Sequence, residues 1–129
     1  MAYRVLVVDD SEIIRSVVKK CLMMSGLDVA NCFEAPDGES ALALLEREWV
    51  DVLLADINMP KMRGDEMIAK LRSKDATATL PVIVISSIRN QDMRDALTRL
   101  GVKGYLAKPF YPESLRAAIV QALDVQETV

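Results

Sequence analysis

The chain has 129 residues, which suits one domain and is long enough to bury about two-thirds of the surface its unfolded form exposes. At 51% hydrophobic and 27% charged it is not a disordered composition, and a net charge of −3 argues against direct nucleic-acid binding, whose footprint is normally basic. No run of 18 apolar residues is present and MAYRVLVVDD lacks the basic start and cleavage site of a signal peptide, so a cytoplasmic protein without membrane attachment is expected.

In chain order, Val5-Leu6-Val7-Val8 opens the pattern as a continuous apolar run, the signature of a strand covered on both faces. Ser11 to Ser25 follows with helical spacing, carrying Ile13, Ile14, Val17, Val18, Cys21 and Leu22 on one stripe and Gly26 as its stop. Val29 to Phe33 reads as a weaker strand, because Asn31 interrupts it and Glu34 follows. The turn Pro36-Asp37-Gly38 leads into a helix over 38–48 with Leu42, Leu44 and Leu45. Val52-Leu53-Leu54-Ala55 is a second fully buried strand, and Asp65 to Ser73 a helix with Met67, Ile68 and Leu71. Val82-Ile83-Val84-Ile85 is the third such strand, followed by a helix over 90–100 with Met93, Ala96, Leu97 and Leu100, closed by Gly101. Gly104 to Ala107 is a short strand containing a glycine, and Pro112 opens a last helix through Leu115, Ala118, Ile119 and Leu123.

Five strands alternating with five helices, without linker or repeat, predict an α/β doubly wound parallel sheet in a single domain over 1–129. With the two weaker strands at the edges, the expected order is 2-1-3-4-5.

Ligands of such sheets bind beyond the carboxyl ends of the strands. The residues following the runs are Asp9 and Asp10, then Asp56, then Ser86 and Ser87, then Lys108. Each has a plain structural alternative: Asp10 or Ser11 as a helix N-cap, Asp56 as a turn acid, Lys108 as a solvated side chain before Pro109. Together they predict a single rim. Carboxylates gathered there repel one another unless a cation joins them, and a hard divalent ion with oxygen ligands, Mg²⁺ or Mn²⁺, resolves that. Carboxylate, metal, ammonium and hydroxyl suit phosphoryl transfer to the protein.

Rival chemistries lack their signatures. There is no G-x-x-x-x-G-K-[ST] and no G-x-G-x-x-G, and the chain has no histidine, which removes Ser-His and Cys-His pairs and any internal phosphohistidine. A phosphatase working through an aspartyl-phosphate would want an acid two residues after Asp56, where Asn58 stands. Cys21 and Cys32 read as reduced core residues.

Four segments, VLVVDDSEIIR (5–15), LLADINMPKMRG (53–64), LPVIVISS (80–87) and GYLAKPF (104–110), together resemble the response-regulator receiver domain of two-component signalling, in its single-domain, chemotaxis-like form. The resemblance covers essentially the whole chain. It implies that Asp56 is the phosphoacceptor, that Asp10 ligates Mg²⁺ directly, that Asp9 acts mainly through water, and that Asn58 offers its backbone carbonyl. Ser86 and Lys108 would hold the phosphoryl oxygens, and Lys108-Pro109 would be cis. Tyr105 would be the aromatic that turns inward on activation, its alternative being a half-buried edge-strand tyrosine. Asn58 and Ile88 would border the hydrolytic water, Ile88 being apolar where relatives often carry a polar residue. Ser87 stands where alanine is frequent, and Tyr111 is a poor N-cap for the last helix.

The resemblance also implies a self-modifying phosphoacceptor with slow autodephosphorylation, not a turnover enzyme. Its donor would be a histidine kinase or histidine phosphotransfer protein. Its output face would be the fourth helix, fifth strand and fifth helix (about 89–99, 103–108 and 112–121), used by a monomer with dimerisation on activation left open. A phosphorelay intermediate, the receiver of a larger DNA-binding regulator and an unphosphorylated adaptor are the alternatives.

Overall fold

The structure, a computed structural model, describes residues 2–57, 59, 62–86 and 91–127. Five strands, β1 (Tyr3–Val8), β2 (Val29–Ala35), β3 (Val52–Ala55), β4 (Val82–Ser86) and β5 (Gly104–Ala107), alternate with five helices, α1 (Glu12–Met24), α2 (Gly38–Arg47), α3 (Gly64–Arg72), α4 (Gln91–Arg99) and α5 (Pro112–Glu127). All neighbouring strands pair in parallel, in the order β2-β1-β3-β4-β5, as the sequence predicts. β3 matches its expected bounds, whereas β2 runs two residues further, to Ala35.

The alternation within each strand sorts the core into two layers. Leu6, Val8, Leu53, Ala55, Val82 and Val84 face α2, α3 and α4, packing with Leu44, Met67, Ile68, Leu71 and Leu97. Val5, Val7, Val52, Leu54, Ile83 and Ile85 face α1 and α5, packing with Val18, Leu22, Leu115 and Ile119. Every residue of β3 and β4 is buried, which explains their unbroken apolar runs; β2 and β5 alternate with exposed positions, as edges do.

Gly26 and Gly101 end α1 and α4 with φ of 85° and 78°, the left-handed stop expected of a glycine there. The apolar stripe of α1 is wider than the face the sheet covers. Val18 and Leu22 are buried and Ile14 and Cys21 half-buried, but Ile13 and Val17 are 76% and 46% exposed, so neither is core. Cys21 and Cys32 are free thiols packed against the α1–α5 layer. Burial is the first cause that raises both thiol pKa values, which suits small core residues.

Candidate functional site

At the carboxyl end of β1, the N–H of Asp9 donates to the carbonyl of Ala35 at 3.1 Å, and one carboxylate oxygen accepts from the N–H of Ser11 at 2.9 Å. Ser11 is the N-cap of α1, its hydroxyl accepting from the N–H of Ile14 at 3.2 Å. The capping role therefore falls to Ser11, and Asp10 stands exposed at the rim. Arg15, one turn into α1, donates to the carbonyl of Asp9 at 2.7 Å and pairs with Glu34 at 3.2 Å, fixing the strand-to-helix turn.

Asp56 follows β3. Its N–H donates to the carbonyl of Val8 at 3.0 Å, continuing the β1–β3 register in which Val8 faces Ala55. Asp56 is only 7% exposed and Asp9 4%, unusual for carboxylates. Behind Asp56, Gly64 opens α3 in contact with the loop: a Cβ there would meet the Asp56 carbonyl at 2.5 Å and the Ile57 Cα at 2.8 Å. Only glycine lets α3 sit this close, and sequence periodicity gave no hint of it.

Ser86 ends β4 buried, and its carbonyl accepts from the N–H of Lys108, which follows β5. The Lys108 Nζ lies 3.5 Å from an Asp9 oxygen and 3.7 Å from an Asp56 oxygen, and the Lys108-Pro109 peptide is cis as expected. Asp9, Asp10 and Asp56 each offer a carboxylate oxygen within 4.8 Å of the others. Among the described residues, three carboxylates stand against the one ammonium of Lys108, an excess of two negative charges. That excess fits a divalent cation with hard oxygen ligands. Asn58, Ser87 and Ile88 lie outside the described residues.

Tyr105 is half-buried on β5. Its hydroxyl donates to the carbonyl of Arg94 at 2.8 Å and lies 2.8 Å from the Thr98 hydroxyl, while the Arg94 guanidinium stacks 4.6 Å from the ring centroid. The ring is thus tied to α4 at its polar edge. A cavity of about 340 Å³ lies between it and the acidic rim, lined by Ile57, Ser86, Met93, Leu97, Tyr105 and Leu106 among others. Tyr111 is exposed, and its carbonyl accepts from the N–H of Leu115 in the first turn of α5.

No helix among the described residues is long and apolar enough to cross a membrane. A family model described as the response regulator receiver domain matches residues 5–120. The chain is 32% identical over 116 residues to chemotaxis protein CheY of Pseudomonas aeruginosa, covering 90% of this chain and 92% of that one. It is 33% identical over 123 residues to the sensor histidine kinase TmoS of Ectopseudomonas mendocina, covering 95% of this chain but only 12% of the kinase's length. The structure of chemotaxis response regulator CheY4 of Vibrio cholerae superposes with a TM-score of 0.84 at 31% identity, covering 95% of this chain and all of that one.

Proposed function

The chain belongs to the response regulator receiver domain family, and from that premise we propose that it is a switch loaded by phosphorylation of Asp56 and read out by protein–protein contact. The observation that carries this reading is the Asp56 carboxylate, nearly buried at the end of β3, with the Lys108 ammonium 3.7 Å away and two further carboxylates within 4.8 Å. A turn acid or an N-cap needs none of that company.

In the proposed reaction an Asp56 oxygen attacks the phosphorus of a partner's phosphohistidine. The P–O bond forms as the P–N bond breaks, and the departing imidazole takes up a proton from solvent. Lys108 moves its contact from the Asp56 carboxylate to a phosphoryl oxygen, and the Ser86 hydroxyl donates to another. Asp10 and Asp56, and by the family resemblance the Asn58 backbone carbonyl, would hold a Mg²⁺ or Mn²⁺ ion, with Asp9 acting through water; that ion would supply positive charge against the negative charge of the phosphoryl group. A donor in the cytoplasm, either a histidine kinase or a histidine phosphotransfer protein, is part of the proposal, since the chain has no histidine of its own.

Drawing the Ser86 hydroxyl toward the phosphate frees space at one end of the 340 Å³ cavity, and Tyr105 can then exchange its contacts with α4 for that space. The output face of this switch is α4, β5 and α5. Likeness to a segment of a longer sensor kinase is compatible with a second reading, a receiver that passes its phosphate onward to another histidine protein.

The test is incubation with a small-molecule phosphodonor and Mg²⁺. One base-labile, acid-stable phosphate should appear on the parent and none on Asp56→Asn, with the circular dichroism of both unchanged. Full labelling of the variant would end the proposal. Transfer of label from the parent to an added phosphotransfer domain, instead of its hydrolysis, would select the relay reading.

A further inference from the structure

At the opposite end of the sheet from Asp56, Arg72 closes α3 and reaches between two loops. Its guanidinium donates to the carbonyls of Leu100 at 2.7 Å, Leu80 at 2.7 Å, Thr77 at 3.2 Å and Gly101 at 3.3 Å. A guanidinium has five N–H donors; none of these four bonds ends on a carboxylate. Burial alone pushes the Arg72 pKa below the ordinary arginine value, the direction expected of a cation without a counter-ion.

Arg72 lines an open cleft of about 640 Å³ together with Arg99, Lys103, Thr79, Leu100 and Gly101, and no acidic side chain lines it. Some cations elsewhere in this net-negative chain meet acids, such as Arg4 with Glu48 at 2.7 Å and Arg15 with Glu34 at 3.2 Å, while others, such as Lys20 and Arg116, stand singly on the surface instead of lining a cleft with other cations. Among the described residues no ion pair involves Arg72, Arg99 or Lys103. Helix dipoles account for part of this, since Arg72 and Arg99 sit in the last turns of α3 and α4. Two helix C-termini, however, supply only about half a negative charge each, so about two of three positive charges stay unanswered.

We propose that this cleft, formed by the end of α3, residues 77–80 and the α4–β5 turn, binds an acidic peptide segment of a partner protein. The occupant follows from the lining. The cations come from two stretches of chain, the end of α3 and the α4–β5 turn, around a volume much larger than one phosphate, which suits several carboxylates in a row. No aromatic ring lines the cleft to seat a nucleobase. Glycine at 101 and small Ala78 keep the approach open to a peptide backbone. The proposal does not depend on Asp56, so it stands or falls separately from the phosphorylation reading.

The experiment is a titration of ¹⁵N-labelled protein with hexaglutamate peptide at low salt, following amide shifts in parent and Asp56→Asn alike. Saturable shifts should cluster at 77–80 and 99–103 and fade at about 0.3 M salt, where the screening length falls below about 6 Å. The double variant Arg99→Ser, Lys103→Ser should weaken binding at least tenfold, whereas Lys20→Ser on α1 should leave it unchanged. Arg72 is left intact because its bonds hold the loops. Shifts scattered over all basic residues, or insensitive to the double variant, overturn the site. Equal shifts from pyrophosphate at much lower concentration overturn the acidic segment as its occupant.

Discussion

The two ends of this sheet treat polar groups in opposite ways. At the amino ends, polar side chains are answered largely by the chain itself. Arg72 is spread over four carbonyls, the Thr77 hydroxyl donates to the Leu71 carbonyl at 2.7 Å, and Asp51 accepts from the Arg4 N–H at 2.8 Å and from the Trp49 indole at 3.0 Å. At the carboxyl ends, the nearly buried carboxylates of Asp9 and Asp56 share the Lys108 ammonium, with the exposed Asp10 carboxylate within 4.8 Å of both. At one end polar groups close loops over the core beside a cleft lined by cations, and at the other carboxylates crowd around an ammonium. Substitutions at the two ends should therefore act differently: loss of the loop-closing guanidinium costs stability, and loss of the crowded carboxylates does not.

The largest effect is expected at the closed end. Arg72→Ala removes four hydrogen bonds and leaves the partly buried carbonyls of Leu80 and Leu100 without the guanidinium, while the Thr77 carbonyl still accepts from the Leu80 N–H and that of Gly101 is open to water. Lost bonds from a charged donor and unmet acceptors should together cost about 3 kcal/mol. Urea denaturation should show a lower midpoint at unchanged slope. Arg72→Lys should not rescue it, because one ammonium cannot copy a planar fork that serves four acceptors. A loss below about 1 kcal/mol, a typical net hydrogen bond, would mean that water replaces the guanidinium and that this end is not stapled as described.

The open end should respond with the reverse sign. Asp9→Asn with Asp10→Asn removes two like charges, so in chelator at low salt the double variant should be at least as stable as the parent. Added Mg²⁺ should then stabilise the parent by about 2.7 kcal/mol at a free concentration near 100 times Kd. The double variant should gain less than a third of that. Thermal melts with and without Mg²⁺ measure both. If the variant is destabilised in chelator and still gains fully from Mg²⁺, the rim acids are structural and the metal binds elsewhere.

These two ends were not equally legible in the sequence. The acids of the rim could be read because each follows an apolar run and the topology brings strand ends together; once β1, β3 and β5 were placed, Asp9, Asp56 and Lys108 had to be neighbours. Strand order was legible for a related reason, since Asn31 and Gly104 mark strands that cannot be buried on both faces. Arg72 was invisible, because its acceptors are backbone carbonyls 5 to 29 residues away and carbonyls leave no mark in side-chain pattern. Gly64 was missed because its role is a close approach to the Asp56 carbonyl, not a turn conformation. The exposure of Ile13 and Val17 was not legible either, because periodicity reports which way an apolar stripe faces, not how much of it the sheet covers.

A smaller effect concerns how long the charged end stays loaded. Hydrolysis of a phosphorylated Asp56 would need water lined up opposite the carboxylate oxygen, and the family resemblance implies that Ile88, which lies outside the described residues, would border that approach. An apolar side chain offers the water no acceptor. Ile88→Glu or Ile88→Gln should supply one and lower the barrier by about 1–2 kcal/mol, on the order of tenfold in rate. Loss of label from purified phosphoprotein in excess Mg²⁺ is the measurement. Unchanged lifetimes in both variants would assign Ile88 to packing or partner contact.

The smallest effect should arise between the two ends, where Tyr105 is held to α4 by its hydroxyl and by the Arg94 guanidinium. Tyr105→Phe keeps the ring but removes the bond to the Arg94 carbonyl and the contact with Thr98. The ring loses about 1 kcal/mol of attachment to α4, while the apolar cavity toward Ser86 accepts phenylalanine no less readily than tyrosine. The equilibrium between the two ring positions should therefore move inward about fivefold without any phosphate. Methyl and aromatic NMR of the unloaded variant should show Leu97 and Leu106, which line the cavity, displaced part-way toward their positions in the beryllofluoride-loaded parent. Arg94→Ala should move them in the same direction by removing the stacked cation, which is worth about 0.5–1 kcal/mol at an exposed site. If both variants keep the unloaded spectrum, the bonds to α4 do not set the ring position, and the switch must be sought in the α4 backbone instead.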